Sequence, residues 1–282
     1  HQPFYDNIKP GMTMGGFGIH WHRNQTWWPM VKAYHEYVSR CQFLLQQGEA
    51  AADILFLIPE GAPNIFTPPE SALSGTSTMP DRKGYNFDGC WPSQLNQAEV
   101  QDGSIVFPEG SRYEVLVLPS ADYITEELLK KIIQLTSEGA TIVGNPRVKS
   151  HGLTGYPQSD NKIHEIAEKF WGSISIPEKL QKRTFGKGTI YWGEDIESGK
   201  GQALYPSYEL ISSLLSEKGI EVDFLCSDKI RYTHIIGAKH DIYFVANTQE
   251  KEIQTEVSFR TSRGLPELWD PVTGTKRALP DF

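Results

Sequence analysis

Cysteine is scarce: Cys41, Cys90 and Cys226 are the only three in 282 residues. They stand far apart and form no C-x-x-C pair, which argues against a zinc cluster. Their odd number argues against a disulfide framework and leaves the compartment open. Long apolar runs are missing as well. No stretch approaches the roughly 18 residues that a bilayer-spanning helix needs. Blocks of like charge are absent. Lys and Arg number 27 against 35 Asp and Glu, a net charge of −8, so there is no basic footprint for nucleic acid and no basic amphipathic helix for a membrane surface. There is no G-x-x-x-x-G-K-[ST] loop, and "GMTMGGFG" follows no strand and opens no helix, so a phosphate-cradling loop is not indicated. Internal repeats and low-complexity tracts are not found. The chain starts at His1-Gln2 without an initiator Met or a signal-peptide pattern, and reads as a piece cut or processed from a longer protein.

What is present suits a folded protein. Hydrophobic residues make up 39% and charged residues 22%, near the globular norm. The length allows one large domain or two to three ordinary ones. Residues 1–17 are loop-like. Trp28 to Gly48 predicts a helix, because Val31, Tyr34, Tyr37, Val38, Cys41, Leu44 and Leu45 recur at three- and four-residue spacing. "AADILFLIPEG" (Ala51–Gly61) predicts a buried, parallel-type strand. Residues 62–85 predict a long loop, "NFDGCWPSQLNQAEV" a short helix and "GSIVFPEG" a strand. Arg112–Gly144 carries the clearest pattern, a βαβ unit. Val115–Leu118 is its first strand, and a helix capped by Thr125 with Glu126 and Glu127 in its first turn ends at Gly139. "ATIVG" is the second strand. A helix at Ile163–Trp171, a strand in "GKGTIYWG", a helix in "YPSYELISSLLSEKG" and "IEVDFLC" complete an α/β part. From Ile230 the period changes to that of about three to five antiparallel strands.

One stretch concentrates polar and aromatic groups. "GIHWHRNQTWW" (Gly18–Trp28) holds two histidines and three tryptophans in eleven positions. His20 and His22 point to one side of an extended segment and suit a metal or a substrate. No third ligand is fixed by spacing, so a polar structural role is the competing reading and no metal site is assigned. Trp21, Trp27 and Trp28 suit stacking against the C–H face of a sugar ring. Arg23, Asn24 and Gln25 would then bond its hydroxyls. The competing reading buries the tryptophans against the following helix. Cys90 lacks the small-residue elbow of a nucleophile, and no H-x-E follows it. Glu60, just past a strand's C-terminal end, stands where an α/β site would place an acid; the competing reading is a solvated loop carboxylate. The acid pair of a glycosidase is not recognisable by spacing.

Three stretches together resemble a known family. "HQPFYDNIKPGMTMGGFGIHWHRNQTWW…YVSRCQFLLQQG" is similar to the segment closing the catalytic barrel in bacterial glycoside hydrolases of the α-L-rhamnosidase type, the family-106 group. "ADILFLIPEGAPN" and the Tyr113–Gly144 stretch resemble the amidotransferase-like domain that follows, a domain also found as the trimerisation domain of some β-galactosidases. "HDIYFVANTQEKEIQTEVSFRTSRGLPELWDPVTG" resembles the start of a β-sandwich. "RNQTWW" and "ELWDPVTG" are the sharpest matches.

The resemblance implies an α/β fold. A flavodoxin/class I amidotransferase-like parallel sheet flanked by helices would carry a C-terminal antiparallel β segment. Residues 1–48 would be a barrel remnant, 49–227 the α/β domain and 228–282 the start of a sandwich. For the intact enzyme it implies cleavage of an α-linked rhamnose or related sugar with inversion by two acids. It also implies a calcium ion near the substrate, and a periplasmic or extracellular setting. The acids would precede His1, so no catalytic residue and no cofactor is carried over to this chain. His20, His22, Arg23, Asn24, Gln25, Trp27 and Trp28 would line the sugar site. The expected partners are an oligo- or polysaccharide, the upstream barrel and further copies of the chain. The expected role is structural or oligomerising. The alternatives are a carbohydrate-binding or assembly module, and an amidotransferase-like hydrolase using Cys90.

Overall fold

Pro29 opens the first described helix by fixing φ at the start of a 3₁₀ turn, Trp28–Met30, which runs into α1, Val31–Leu45. In this computed structural model residues 21, 25–74, 81–196, 204–261 and 264–279 are described. The chain divides into two units. One holds residues 1–48, 237–242 and 263–282; the other holds 49–236 and 243–262. In α1 only Val31 is buried. Of the other residues on the expected apolar face, Tyr37, Val38, Cys41, Leu44 and Leu45 are half-buried and Tyr34 is 51% exposed.

The second unit is built on a six-stranded sheet. Its strands are β1 Ile54–Leu57, β2 Phe87–Cys90, β3 Val115–Val117, β4 Thr141–Val143, β5 Gln181–Phe185 and β6 Gly188–Trp192. The spatial order is β5-β6-β4-β3-β1-β2. All neighbours pair parallel except β5, which lies antiparallel on β6. β1 is buried at all four positions. Covering such residues contributes roughly 2 kcal/mol each, which is why its apolar run carries no alternation.

Helix α2, Glu126–Glu138, connects β3 to β4 as the βαβ pattern predicts. Thr125 caps it, its hydroxyl accepting from the Leu128 N–H at 3.3 Å. Gly139 stops it at φ +137°, a conformation side chains disfavour. Helix α3, Gln158–Trp171, starts five residues before the expected Ile163 and buries Ile163, Ala167, Phe170 and Trp171. Helix α4, Tyr208–Glu217, is capped by Ser207. The buried residues of α2, α3 and α4 share one core with the sheet.

Two strands depart from the sequence pattern. "FDGC" forms β2, and only Pro92–Leu95 after it is helical. Asp and Gly disfavour strands in isolation, and the parallel register Ile54–Leu57 against Phe87–Cys90 overrides that preference. "DFLC" yields β7, Phe224–Cys226, which pairs antiparallel with β10, Val257–Phe259, outside the parallel sheet. Between them come β8, Ile230–Ile236, and β9, Asp241–Asn247. Glu49–Ala50 pairs antiparallel with β8.

In the first unit β11, Glu267–Trp269, pairs antiparallel with β12, Lys276–Ala278. Asp270 makes the turn between them, accepting from the Val272 N–H at 2.8 Å and the Thr273 hydroxyl at 2.7 Å. Arg40 of α1 donates to the carbonyls of Pro271 at 3.0 Å and Val272 at 2.8 Å. The architecture is thus mixed α/β, a largely parallel sheet with helices and additional antiparallel strands.

Candidate functional site

Of the residues expected to meet a sugar, His20, His22, Arg23 and Asn24 lie outside the described residues. Gln25 and Trp27 are half-buried, and their carbonyls accept from the N–H groups of Trp28 and Met30. Trp28 is 41% exposed and Trp21 40%. Trp21 stands edge-on to Trp27 at 5.2 Å between centroids, and is tilted against Tyr34 and His35 of α1 at 5.2 Å each. Neighbouring helical positions 34 and 35 therefore both reach Trp21. Such a cluster holds its rings by mutual contact while leaving apolar faces in water, the condition for stacking on a sugar. Tyr34 and His35 were not singled out for this surface in the sequence, because the period of α1 assigns Tyr34 to a core face.

The second place is the C-terminal end of the parallel sheet, where β1 and β3 send their connections to opposite sides. Ligands of open α/β sheets bind in such a crevice. Here Leu57, Pro59, Glu60, Pro119, Tyr123 and Arg147 surround a space of only about 20 Å³, room for about one water. Glu60 is not a solvated loop carboxylate. Its two oxygens accept from the Thr125 N–H and the Thr125 hydroxyl, each at 2.7 Å. Its negative charge sits at the positive end of α2. The buried Arg147 donates to the Pro119 carbonyl.

Cys90 ends β2 and is buried. Burial pushes its thiol up to about 12. A nucleophilic cysteine needs the opposite shift, from a histidine or a helix N-terminus. Cys226 is half-buried, with its sulfur 3.5 Å from the Thr255 hydroxyl.

The structure also assembles a buried charge network that spacing does not reveal. Asp53, just before β1, pairs with Arg260, just after β10, at 2.9 Å. Asp223 lies 3.5 Å from Arg260 and bonds His234 Nδ1 at 2.7 Å. The Tyr243 hydroxyl donates to Asp223 at 3.1 Å, and its ring stacks on His234 at 3.9 Å. Burial raises the Asp53 carboxyl above the usual range, and Arg260 offsets part of that. Burial opposes the charge on Arg260, yet Asp53 and Asp223 hold it above the ordinary arginine value. Asp53, Asp223 and His234 are all at least 95% buried, so a substrate has no approach to this Asp-His pair. The network fastens β8 and β10 to the head of β1.

Among the described residues no group of three or more His, Cys, Asp or Glu is placed to hold a metal ion. Also among them, no helix is long and apolar enough to cross a membrane.

Comparison with known proteins then gives the class. The profile of glycoside hydrolase family 106, described as alpha-L-rhamnosidase, matches residues 1–281, and the chain belongs to that family. A protein of Formosa agariphila named "Putative beta-glucuronidase" is 30% identical over 276 residues, 98% of this chain and 21% of that protein. A rhamnosidase structure from Novosphingobium sp. is similar at a TM-score of 0.73 and 24% identity, covering 97% of this chain and 24% of that one. A β-galactosidase structure from Bacillus circulans sp. alkalophilus is similar at a TM-score of 0.51 and 11% identity, covering 92% and 44%. These two structures establish a likeness of fold. The chain spans only 21% to 24% of the first two relatives.

Proposed function

We propose that the chain is the non-catalytic C-terminal portion of an α-L-rhamnosidase-like glycoside hydrolase, and that its α/β unit has a structural or oligomerising role. The observation that carries this reading is Cys90. It is the cysteine nearest to an amidotransferase nucleophile in the order of elements, yet its thiol is buried, neutral and without a histidine partner among the described residues. Glu60 supports it, since its carboxylate is engaged by the cap of α2. Neither group is free for acid–base or nucleophilic work.

Counting only the parallel strands β1, β2, β3, β4 and β6, their order across the sheet is 2-1-3-4-5. That is the order of flavodoxin-type doubly wound sheets, and it supports a flavodoxin/class I amidotransferase-like domain that has lost its chemistry. The catalytic acids, the barrel they stand on, a calcium ion by the substrate and a periplasmic or extracellular setting are proposed for the longer protein.

A carbohydrate-binding role is favoured by the half-exposed Trp21 and Trp28. On this reading His20, His22, Arg23, Asn24, Gln25, Trp27 and Trp28 form part of the sugar-lining surface.

The test is ammonia release when the chain is given L-glutamine. None is expected. Release that a Cys90→Ala variant lacks would overturn the non-catalytic reading and establish the amidotransferase one.

A further inference from the structure

Ile65, Tyr123, Leu153 and Tyr156 are large apolar side chains left in water at the C-terminal end of the parallel sheet. Leu153 is 84% exposed, Ile65 77% and Tyr156 62%. Single exposed residues of this kind are ordinary, but these four stand on three segments that are tied to one another. The short strands Tyr123–Ile124 and Lys149–Ser150 pair in parallel. Just beyond them the His151 N–H donates to the Ile124 carbonyl at 3.2 Å, and the His151 ring stands against Tyr123 at 4.9 Å. His151 Nε2 also packs on Gly61, 3.1 Å from where a Cβ there would stand. The Asn64 amide donates to the carbonyls of Pro59, Glu60 and Gly61. Residues 59–64 are thereby folded into one turn beside His151.

The exposure has local causes. Phe66 is turned inward, its ring filling the space over Gly89 and meeting Phe56 and Phe87. Its neighbour Ile65 is left pointing out. The Tyr156 N–H donates to the Leu153 carbonyl at 3.2 Å and closes a turn. Gly152 enters that turn at φ +93°, and a Cβ there would meet nothing within 4 Å. The turn therefore stands clear of the body and carries Leu153 and Tyr156 with it. Beneath this face the crevice by Glu60 has room for about one water, so what the face offers is outer surface.

The four side chains present on the order of 500 Å² of mostly apolar surface, the size of the largest patch on an ordinary monomer, which is often functional. A specific interface needs about 800 Å² from each partner. The exposed Asp122, Lys149 and His151 beside the patch extend it toward that size. Charge then selects the partner. The whole chain carries −8, whereas segments 60–66, 121–126 and 147–162 together hold four Asp and Glu against three Lys and Arg. This face is nearly balanced in a chain that otherwise repels its own kind. Lys149 and Asp122 lie 3.7 Å apart, with 61% and 78% of their side chains exposed. A twofold axis beside them sets Asp122 of each copy against Lys149 of the other. A nucleic acid or an anionic lipid surface would require an excess of Lys and Arg that this face lacks. We propose that this face is the self-association surface of the α/β unit and that its occupant is a second copy of the chain, in a twofold dimer. The proposal rests on the oligomerising role put forward above and gives that role its surface.

The test is sedimentation velocity of the 282-residue chain from about 1 to about 100 µM. A doubling of mass across that range is expected. Leu153→Glu, and separately Tyr156→Glu, weakens association by at least about thirtyfold, the effect of a lost central contact, with an unchanged far-ultraviolet circular dichroism spectrum. Leu225→Glu, at an exposed position on β7, leaves the dimer intact. A chain that stays monomeric throughout would overturn the proposal. A dimer indifferent to both Glu variants would also overturn it, while keeping an oligomerising role through another surface. Equal loss in Leu225→Glu would make the association unspecific and overturn it too. If Leu153→Glu destabilises an N-terminally extended protein that is itself monomeric, another part of that protein covers the face and the second copy is excluded. Cys90-dependent ammonia release from L-glutamine would instead sink the non-catalytic reading without altering the sedimentation result.

Discussion

Glu60 and Thr125, 65 positions apart, close the crevice at the end of the sheet with two hydrogen bonds of 2.7 Å. One comes from the backbone N–H of the capping residue and one from its hydroxyl. The carboxylate thus occupies the end of α2, where an α/β protein of this strand order would hold an anionic ligand.

Glu60→Ala is expected to destabilise the chain by about 1–2 kcal/mol, the range of a lost cap and charge-assisted bonds. Glu60→Gln, which keeps an acceptor, costs less than Glu60→Ala. Urea denaturation followed by circular dichroism measures both. Equal stability of all three proteins would mean that the carboxylate is not engaged.

Cys90 is expected to resist alkylation. With its thiol at about 12, the thiolate fraction at pH 8 is about one in ten thousand. Iodoacetamide followed by peptide mass spectrometry is expected to label Cys41 and Cys226 in the native chain and Cys90 only after denaturation. Cys90 labelled first would contradict its assignment as inert. The same burial has a consequence for alkaline stability. Tyr113, Tyr205 and Tyr232 are also raised, chiefly by burial. Each folded group prefers its neutral form, so its contribution is complete below the unfolded value, about 8.5 for Cys and 10 for Tyr. That contribution is lost as pH climbs above this point. The thermal midpoint is therefore expected to fall above about pH 9 to 10.

Arg260 stands between Asp53 and Asp223. Arg260→Ala leaves two buried carboxylates without their cation and is expected to cost roughly 3–5 kcal/mol in chemical denaturation. Adding Asp53→Asn to it restores part of the loss, because the orphaned charge is removed. A loss below about 1 kcal/mol would place this pair with ordinary surface salt bridges.

Trp27 and Trp28 bear on the aromatic surface. Calorimetry with a rhamnose-containing oligosaccharide is expected to give heat that Trp27→Ala or Trp28→Ala reduces by about tenfold in affinity, one stacking contact's worth. No heat at millimolar sugar would remove the binding reading for this surface.

What the sequence made legible was local. Thr125, its two following glutamates and Gly139 all lie within fifteen positions, so α2 and its flanking strands follow from neighbouring residues. The apolar run of β1 is equally self-contained. β2 was hidden because Asp88 and Gly89 belong to a strand only through pairing with β1. The charge network was hidden because Asp53 and Arg260 are 207 positions apart, and no spacing rule connects them. Glu60 was singled out for its place at a strand end, but its partner Thr125 was read only as a cap. On α1 the period marked Tyr34 as core, whereas its ring is half in water against Trp21.

The most direct measurement is hydrolysis of an aryl α-L-rhamnoside by the 282-residue chain and by a version extended N-terminally to include the whole barrel. Turnover by the extended protein alone is the predicted result. Turnover by the short chain, abolished by a single substitution within it, would contradict the account and move catalysis into these residues.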